Sequence, residues 1–120
     1  LENEGIKIRY GAPRQKLTAL ERDVIEMEAN YKAAKLLTLR ALWMMSQFQP
    51  NSLESSMAKA KAGLAVTKIT QKAIEIMGPL GYSRKYLLEK WMRDAKVFQI
   101  WEGTSQIQRL IISRDEIGEL

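Results

Sequence analysis

The sequence predicts an all-α protein, an antiparallel helical bundle of the four-helix-bundle type. Apolar residues recur at helical spacing over two long stretches, and Pro and Gly residues separate these stretches from their neighbours. No segment shows the alternation of apolar and polar residues that marks a strand. Short connections between long helices favour antiparallel neighbours, and 120 residues suffice for one domain with a single core.

The chain opens with a segment, residues 1–9, that we interpret as the frayed end of a helix. Gly11 and Pro13 then predict a turn. Because the chain does not begin with Met, we expect a piece of a longer protein, in which the first helix of the bundle is truncated.

The first long helix is predicted over about residues 18–48. Thr18 and Glu21 have the spacing of a capping box, and Pro50 ends the helix because it biases Gln49 away from helical geometry. The apolar stripe of this helix steps alternately by four and three residues and consists of Leu20, Val24, Met27, Tyr31, Ala34, Thr38, Ala41 and Met45.

The second long helix is predicted over about residues 52–77, with Asn51 as its cap and Glu54 at the third helical position. Its stripe consists of Ala62, Val66, Ile69, Ala73 and Ile76. A Gly-Pro break follows at residues 78–81.

Two shorter helices are predicted in the last third of the chain. The first covers about residues 85–92 and should turn Leu87, Leu88 and Trp91 inward. The second covers about residues 105–117, because Ser105 and Gln108 have capping-box spacing, and either Thr104 or Ser105 begins it. Its buried side is predicted to consist of Ile107, Leu110 and Ile111.

The composition excludes several kinds of site. The sequence contains no Cys and no His, which excludes disulfides, thiolate nucleophiles, Ser-His-Asp triads and zinc sites built from these residues, and we expect no metal. The net charge of +5 suits an anionic partner such as a phosphate-bearing cofactor, but Lys and Arg are spread along the chain, which argues against nucleic acid. No signal peptide or bilayer-spanning apolar run is present, so we expect neither secretion nor a membrane partner.

One stretch near the C-terminus combines a lone acid with a turn and a helix start. Glu102 is the only acidic residue between positions 94 and 115; Ile100 and Trp101 precede it, and Gly103 follows it. A carboxylate on a turn between apolar side chains is the arrangement that raises the pKa of a Glu toward the range that a general base needs. The alternative is an acid that simply lies near a helix N-terminus, where acids are common.

The residues around this turn form a recognisable pattern. Residues 92–96 read Met-Arg-Asp-Ala-Lys, and residues 99–109 read Gln-Ile-Trp-Glu-Gly-Thr-Ser-Gln-Ile-Gln-Arg. Upstream, residues 10–13 form an aromatic-Gly-x-Pro turn, and residues 33–37 and 56–59 continue the match. The pattern resembles the C-terminal helical domain of the acyl-CoA dehydrogenases, most of all the medium- and short-chain enzymes. The resemblance implies that an N-terminal helical domain and a middle β domain are absent from this chain.

The resemblance implies a role for several residues. Glu102 would be the base that removes the α-proton of an acyl-CoA thioester in fatty acid β-oxidation, while FAD accepts the β-hydrogen as hydride. Gly103 falls where a backbone amide holds the thioester carbonyl. Arg114 falls near the substrate, although it could equally be a cation in the last turn of a helix. The positions implied to contact FAD are Thr104, Ser105, Gln106, Lys7 and Gly78.

The resemblance also implies partners and a location. We expect a homo-oligomer, a dimer or a tetramer, with an electron-transfer flavoprotein as electron acceptor. The expected location is the bacterial cytoplasm or the mitochondrial matrix. The isolated chain is expected to be inactive.

Several positions depart from the family's pattern. Lys7 stands where the family has Arg, and Thr18 stands where it has Gln. Glu75 and Pro79 alter a segment that the family writes as Gln-x-x-Gly-Gly-x-Gly; Glu75 adds a negative charge near the expected pyrophosphate, and Pro79 removes an amide. The alternative function is therefore a degenerate, non-catalytic module kept for oligomerisation. The intact stretch around Glu102 favours the enzyme.

Overall fold

The computed structural model describes Gly5 and residues 7–118. Over these residues the chain forms four α-helices, two short 3-10 helices and no strand, which confirms the all-α fold class. Helix α1 spans Ala19–Ser46, α2 spans Ser52–Met77, α3 spans Leu88–Val97 and α4 spans Ser105–Ile117. The 3-10 helices cover Arg14–Lys16 and Gly78–Tyr82. No helix in the described ranges combines the length and the apolar character that crossing a membrane requires.

Helix α2 is the centre of the molecule. Helix α1 packs along it, and α3, α4 and the second 3-10 helix also pack against it. Most of the residues that α2 buries are small: Ser56, Ala58, Gly63, Ala65 and Thr67, together with Ile74. Short side chains let the backbones of neighbouring helices approach closely, and this allows one helix to contact three others.

Helix α1 begins with the predicted capping box. The Thr18 hydroxyl accepts a hydrogen bond from the Glu21 N–H at 3.2 Å, and the Glu21 carboxylate accepts one from the Thr18 N–H at 2.8 Å. Of the predicted stripe, Ala34 and Ala41 are buried, whereas Tyr31 and Met45 are exposed at 55% and 59%.

The segment before α1 is not helical where the structure describes it. Residues 7–9 have no helical hydrogen bonds, so the predicted helix tail is wrong for them, and residues 1–4 and 6 lie outside the described range. The Arg9 N–H donates to the Glu21 carboxylate at 3.3 Å instead of to a helical carbonyl. The Arg9 guanidinium donates to both oxygens of the same carboxylate at 2.7 Å. This pairing holds the segment across the start of α1.

The connection between α1 and α2 differs from the prediction in one detail. Helix α1 ends at Ser46, and the N–H groups of Gln47 and Phe48 donate to carbonyls of its last turn. Asn51 occupies the N-cap position of α2, but its side chain does not cap the helix. Its Nδ2 instead donates to the Ala41 carbonyl at 2.9 Å, which ties the connection back to α1.

The predicted boundaries of α3 are wrong at both ends. The Tyr86 N–H donates to the Ser83 carbonyl in a turn, and Leu87 has the left-handed φ of 57°, so the helix starts only at Leu88. It continues past residue 92 to Val97, supported by ion pairs one turn apart between Glu89 and Arg93 and between Lys90 and Asp94.

The inward faces predicted for the two shorter helices are wrong for most of their residues. On α3, Leu87 and Trp91 are exposed, Leu88 is half-buried, and the buried residue is Ala95. On α4, Ile107 and Leu110 are 49% and 65% exposed, Ile111 is half-buried, and the buried residue is Gln108. Because α3 packs close to α2, the side chain that it buries is the small one of Ala95. On α4 the buried side chain is the amide of Gln108, which has a hydrogen-bond partner.

Candidate active site

The turn that carries Glu102 follows directly from the end of α3. The N–H groups of Ile100 and Trp101 donate to the Val97 carbonyl at 2.9 and 3.1 Å. The rings of Phe98 and Trp101 meet edge to face with 5.8 Å between their centroids. These contacts hold residues 98–101 together in a compact turn.

Glu102 and Gly103 are consecutive residues in the left-handed region of backbone conformation. Their φ angles are 52° and 94°. A left-handed φ costs a non-glycine residue about 1–2 kcal/mol, so the position of Glu102 requires support from its surroundings. Thr104 then returns to extended geometry, and its hydroxyl accepts from the Ile107 N–H at 3.3 Å to cap α4. Thr104 is therefore the cap and Ser105 is the first residue of α4, so the predicted Ser105–Gln108 capping box does not form.

The side chain of Glu102 is open to solvent in this chain. Glu102 is exposed, and the neighbouring Ile100 and Trp101 are 58% and 51% exposed. The described residues therefore do not build the dry, apolar surroundings that were expected around the carboxylate.

A recess of about 320 Å³ lies beside the start of α4. Its lining residues are Leu64, Lys96, Gln99, Ile100, Thr104, Ser105, Gln106 and Arg109. Three of the five predicted cofactor positions are thus in one place. Two cations and no acid line the recess, and the N-terminus of α4 adds partial positive charge. This combination suits a phosphate group.

Sequence reasoning missed the two cations of this recess. Arg109 lies four residues after Ser105 on the same helix, and this spacing could have indicated its place over the first turn of α4. Lys96 comes from α3, where its side chain donates to Gln99 at 2.6 Å, and no local signal in the sequence indicates that it meets α4.

The other predicted site residues lie elsewhere. Gly78 caps the end of α2, and Lys7 precedes the Arg9–Glu21 pair at the start of α1. These two ends are neighbours, because Lys72 of α2 lies 3.9 Å from Asp23 of α1. At about 1.5 Å per helical residue, Gly78 is roughly 20 Å along α2 from Leu64 in the recess. The structure therefore separates Lys7 and Gly78 from Thr104–Gln106.

Arg114 also lies away from the recess. It is on the last turns of α4, exposed, and its guanidinium donates to Asp115 at 3.4 Å. In the described part of the chain, no group of three or more acidic residues is placed to hold a metal ion.

Comparison with known proteins identifies the family. A family model described as the acyl-CoA dehydrogenase C-terminal domain matches residues 9–117. This chain belongs to the acyl-CoA dehydrogenase family. It is 39% identical over 104 residues to the mitochondrial short-chain specific acyl-CoA dehydrogenase of Bos taurus. The aligned region covers 87% of this chain and 25% of that protein.

Solved structures agree with the sequence match. Butyryl-CoA dehydrogenase from Megasphaera elsdenii superposes with a TM-score of 0.81 and 28% identity, over 92% of this chain and 29% of that one. A chain in a structure of the electron transferring flavoprotein of Acidaminococcus fermentans superposes with a TM-score of 0.82 and 32% identity, over 94% of this chain and 30% of that one. The chain thus spans about a quarter of the length of the curated relatives that it matches.

The negative charge of Glu75, one departure from the family pattern, is partly offset by a lysine of this acyl-CoA dehydrogenase domain. The ammonium group of Lys72 pairs with the carboxylate of Glu75 and lies 3.9 Å from Asp23. The hydrogen bond to Glu75, more than any other contact, raises the pKa of Lys72. Lys72 therefore offsets part of the negative charge that Glu75 places near Gly78.

Proposed function

We propose that this domain carries the catalytic base of an FAD-dependent acyl-CoA dehydrogenase, which converts an acyl-CoA thioester to the 2-enoyl-CoA. One observation carries the proposal. Glu102 and Gly103 form a strained, consecutive left-handed turn that opens directly into the start of α4, beside a recess lined by cations. Phe48 and Leu87 are also left-handed, but of these three residues only Glu102 carries an ionisable side chain and lies beside this recess.

The residues of the turn have separate roles in this proposal. The Glu102 carboxylate removes the α-proton of the thioester and holds it on a carboxylate oxygen. The Gly103 N–H donates to the thioester carbonyl oxygen, where negative charge develops as the proton leaves. Arg114 is proposed to contact the substrate from the last turns of α4.

The recess fits the phosphate groups of FAD. Thr104, Ser105 and Gln106 would hold the cofactor through the hydroxyls and amides of the helix start, with Lys96 and Arg109 beside them. When bound, FAD supplies the hydride acceptor for the β-hydrogen. Gly78 lies at the end of α2 and Lys7 precedes the start of α1, both away from the recess. We therefore assign them to the FAD of a second subunit, which makes the active protein a homo-oligomer.

The remaining expectations belong to the same proposal. The Glu102 carboxylate is exposed here and needs other residues to shield it from solvent. We assign these residues to an N-terminal helical domain and a middle β domain of a longer enzyme. The isolated chain is then inactive. The electron acceptor is an electron-transfer flavoprotein, and the location is the bacterial cytoplasm or the mitochondrial matrix.

The second candidate function is a non-catalytic oligomerisation module. The large exposed apolar side chains, among them Leu36, Trp43 and Phe48, favour it. The two candidates differ in one simple measurement. An ultraviolet-visible spectrum of the full-length protein shows bound flavin if the first is correct and none if the second is.

The proposal is tested by Glu102→Gln in the flavin-loaded full-length protein. The amide keeps the shape of the side chain but cannot accept the proton, so flavin reduction by acyl-CoA should slow by roughly 100- to 10,000-fold. Single-turnover absorbance of the flavin measures this rate. Glu116→Gln, on an exposed glutamate of α4, is the control and should leave the rate unchanged. A Glu102→Gln variant that bleached its flavin at the normal rate would place the base elsewhere.

A further inference from the structure

The strained backbone at Glu102 is held from the C-terminal side by Gln108. Only 9% of Gln108 is exposed, and its Nε2 donates to the carbonyl oxygen of Glu102 at 3.4 Å. A Cβ atom on residue 103 would overlap this amide, so Gly103 is the residue that makes room for it. A buried amide group is thus directed at the backbone of Glu102 and not at its carboxylate, which leaves the carboxylate free to react.

The same turn is held from the N-terminal side by α2. The Lys59 ammonium group donates to the Phe98 carbonyl at 2.5 Å. Gly63, one turn further along α2, lets this carbonyl approach, since a Cβ there would stand 3.0 Å from the Phe98 oxygen. The Ser105 N–H closes the loop by donating to the Gln99 carbonyl at 3.2 Å. The turn is therefore attached at both ends to the rigid central helix and to α4.

We propose that Gln108 and Lys59 are positioning residues for the Glu102 carboxylate. They act through the backbone. Lys59 fixes the distance between the turn and α2, and Gln108 holds Glu102 in its left-handed conformation. A longer enzyme needs the carboxylate oxygen within hydrogen-bond reach of one α-proton, and a shift of about 1 Å can cost on the order of 100-fold in rate. This inference rests on the proposed function of Glu102 as the base.

The experiment compares Gln108→Met and Lys59→Met in the flavin-loaded full-length protein. Gln108→Met keeps the side-chain length, Lys59→Met shortens the side chain by one atom, and both remove the donor. We expect flavin reduction to slow by roughly 10- to 100-fold, with the dissociation constant for acyl-CoA changed less than about threefold, since the substrate is not contacted. Lys59→Arg keeps a cationic donor and should restore most of the rate. Gln71→Met, on an exposed glutamine of α2, is the matched control and should behave as the wild type.

A second readout is independent of activity. Hydrogen-deuterium exchange of the peptide that covers residues 98–105 should be faster in both Met variants than in the control, because the turn loses an attachment. If Gln108→Met does not yield folded protein, as judged by circular dichroism, Lys59→Met tests the proposal alone.

Combination with Glu102→Gln separates positioning from general damage to the structure. If Gln108 acts through Glu102, Gln108→Met should cause little further loss in a Glu102→Gln background. An equal loss in both backgrounds would overturn the inference, and so would normal rates in both Met variants while Glu102→Gln is slow. If Glu102→Gln itself reduces flavin normally, the proposed function fails instead, and the two failures are distinguishable.

Discussion

At the residue scale, Glu21 has the densest set of polar contacts of any carboxylate in the described chain. It accepts from the Arg9 guanidinium, from the Arg9 N–H, and from the N–H and hydroxyl of Thr18. The Arg9 guanidinium first, and then the Thr18 amide, hold the pKa of Glu21 well below its usual range. One side chain thus caps α1 and attaches the preceding segment, which includes Lys7.

This pKa shift predicts how stability depends on pH. Because the pKa is depressed in the folded state, the contribution of Glu21 to stability is complete above the unfolded value of about 4.3 and is lost as the pH falls below it. Glu21→Gln keeps one oxygen that can accept from the Thr18 N–H, replaces the other acceptor by a donor and removes the charge. Its free energy of unfolding should therefore fall less between about pH 6 and about pH 3 than that of the wild type.

Urea denaturation of the two proteins at both pH values measures the difference. Glu116→Gln, which removes an exposed carboxylate on α4, should follow the wild type. Parallel losses of stability in the wild type and in Glu21→Gln would contradict the assignment.

At the element scale, the contact between α2 and the second 3-10 helix depends on Gly81. A Cβ there would stand 2.9 Å from the Ile74 carbonyl oxygen and 3.0 Å from the Ile74 Cα, which are backbone atoms of α2 and cannot rotate away. The two elements are close enough that only glycine fits between them.

Gly81→Ala should therefore lower the free energy of unfolding by about 1–3 kcal/mol, as overpacking typically does. Gly11→Ala is the control, because no atom lies within 4 Å of its Cβ position and the change should be nearly neutral. Thermal unfolding followed by circular dichroism gives both values. A Gly81→Ala protein as stable as the Gly11→Ala protein would show that α2 and the 3-10 helix move apart at little cost.

At the scale of the whole molecule, the core is small and the apolar surface is large. The buried apolar residues of the described chain are five alanines and Ile74, whereas Leu36, Trp43 and Phe48 are 66%, 59% and 98% exposed. Helix α2 is surrounded by the other helices, but the outer side of α1 carries large apolar side chains that no other described residue covers.

We therefore predict that the isolated chain self-associates, as a dimer or a tetramer. Burial of the exposed apolar side chains supplies the free energy. Light scattering at tens of micromolar should give a mass that is a multiple of 13.8 kDa. Replacement of Leu36 and Trp43 by Ser should shift the mass toward the monomer. A wild-type chain that is monomeric at that concentration would contradict the prediction.

The sequence by itself determined the elements that depend on local chemistry. Helical periodicity, the Thr18–Glu21 capping box and the breaks near Pro50 and Gly78 are interactions among residues close in the chain, and they predicted the all-α fold and the bounds of the two long helices. The motif around Glu102 is also local, and its resemblance to the acyl-CoA dehydrogenases indicated the family. Its catalytic role stays a prediction.

The tertiary structure alone decided which faces meet and what holds the turn. Whether Ile107 or Gln108 faces α2 depends on how closely two backbones approach, and Gly63 and the small residues of α2 set that distance from more than forty positions away. The same long-range contacts bring Lys59 to Phe98 and place Lys96 and Arg109 in the lining of one recess. Local periodicity does not encode such contacts, because they arise only when separate helices pack together.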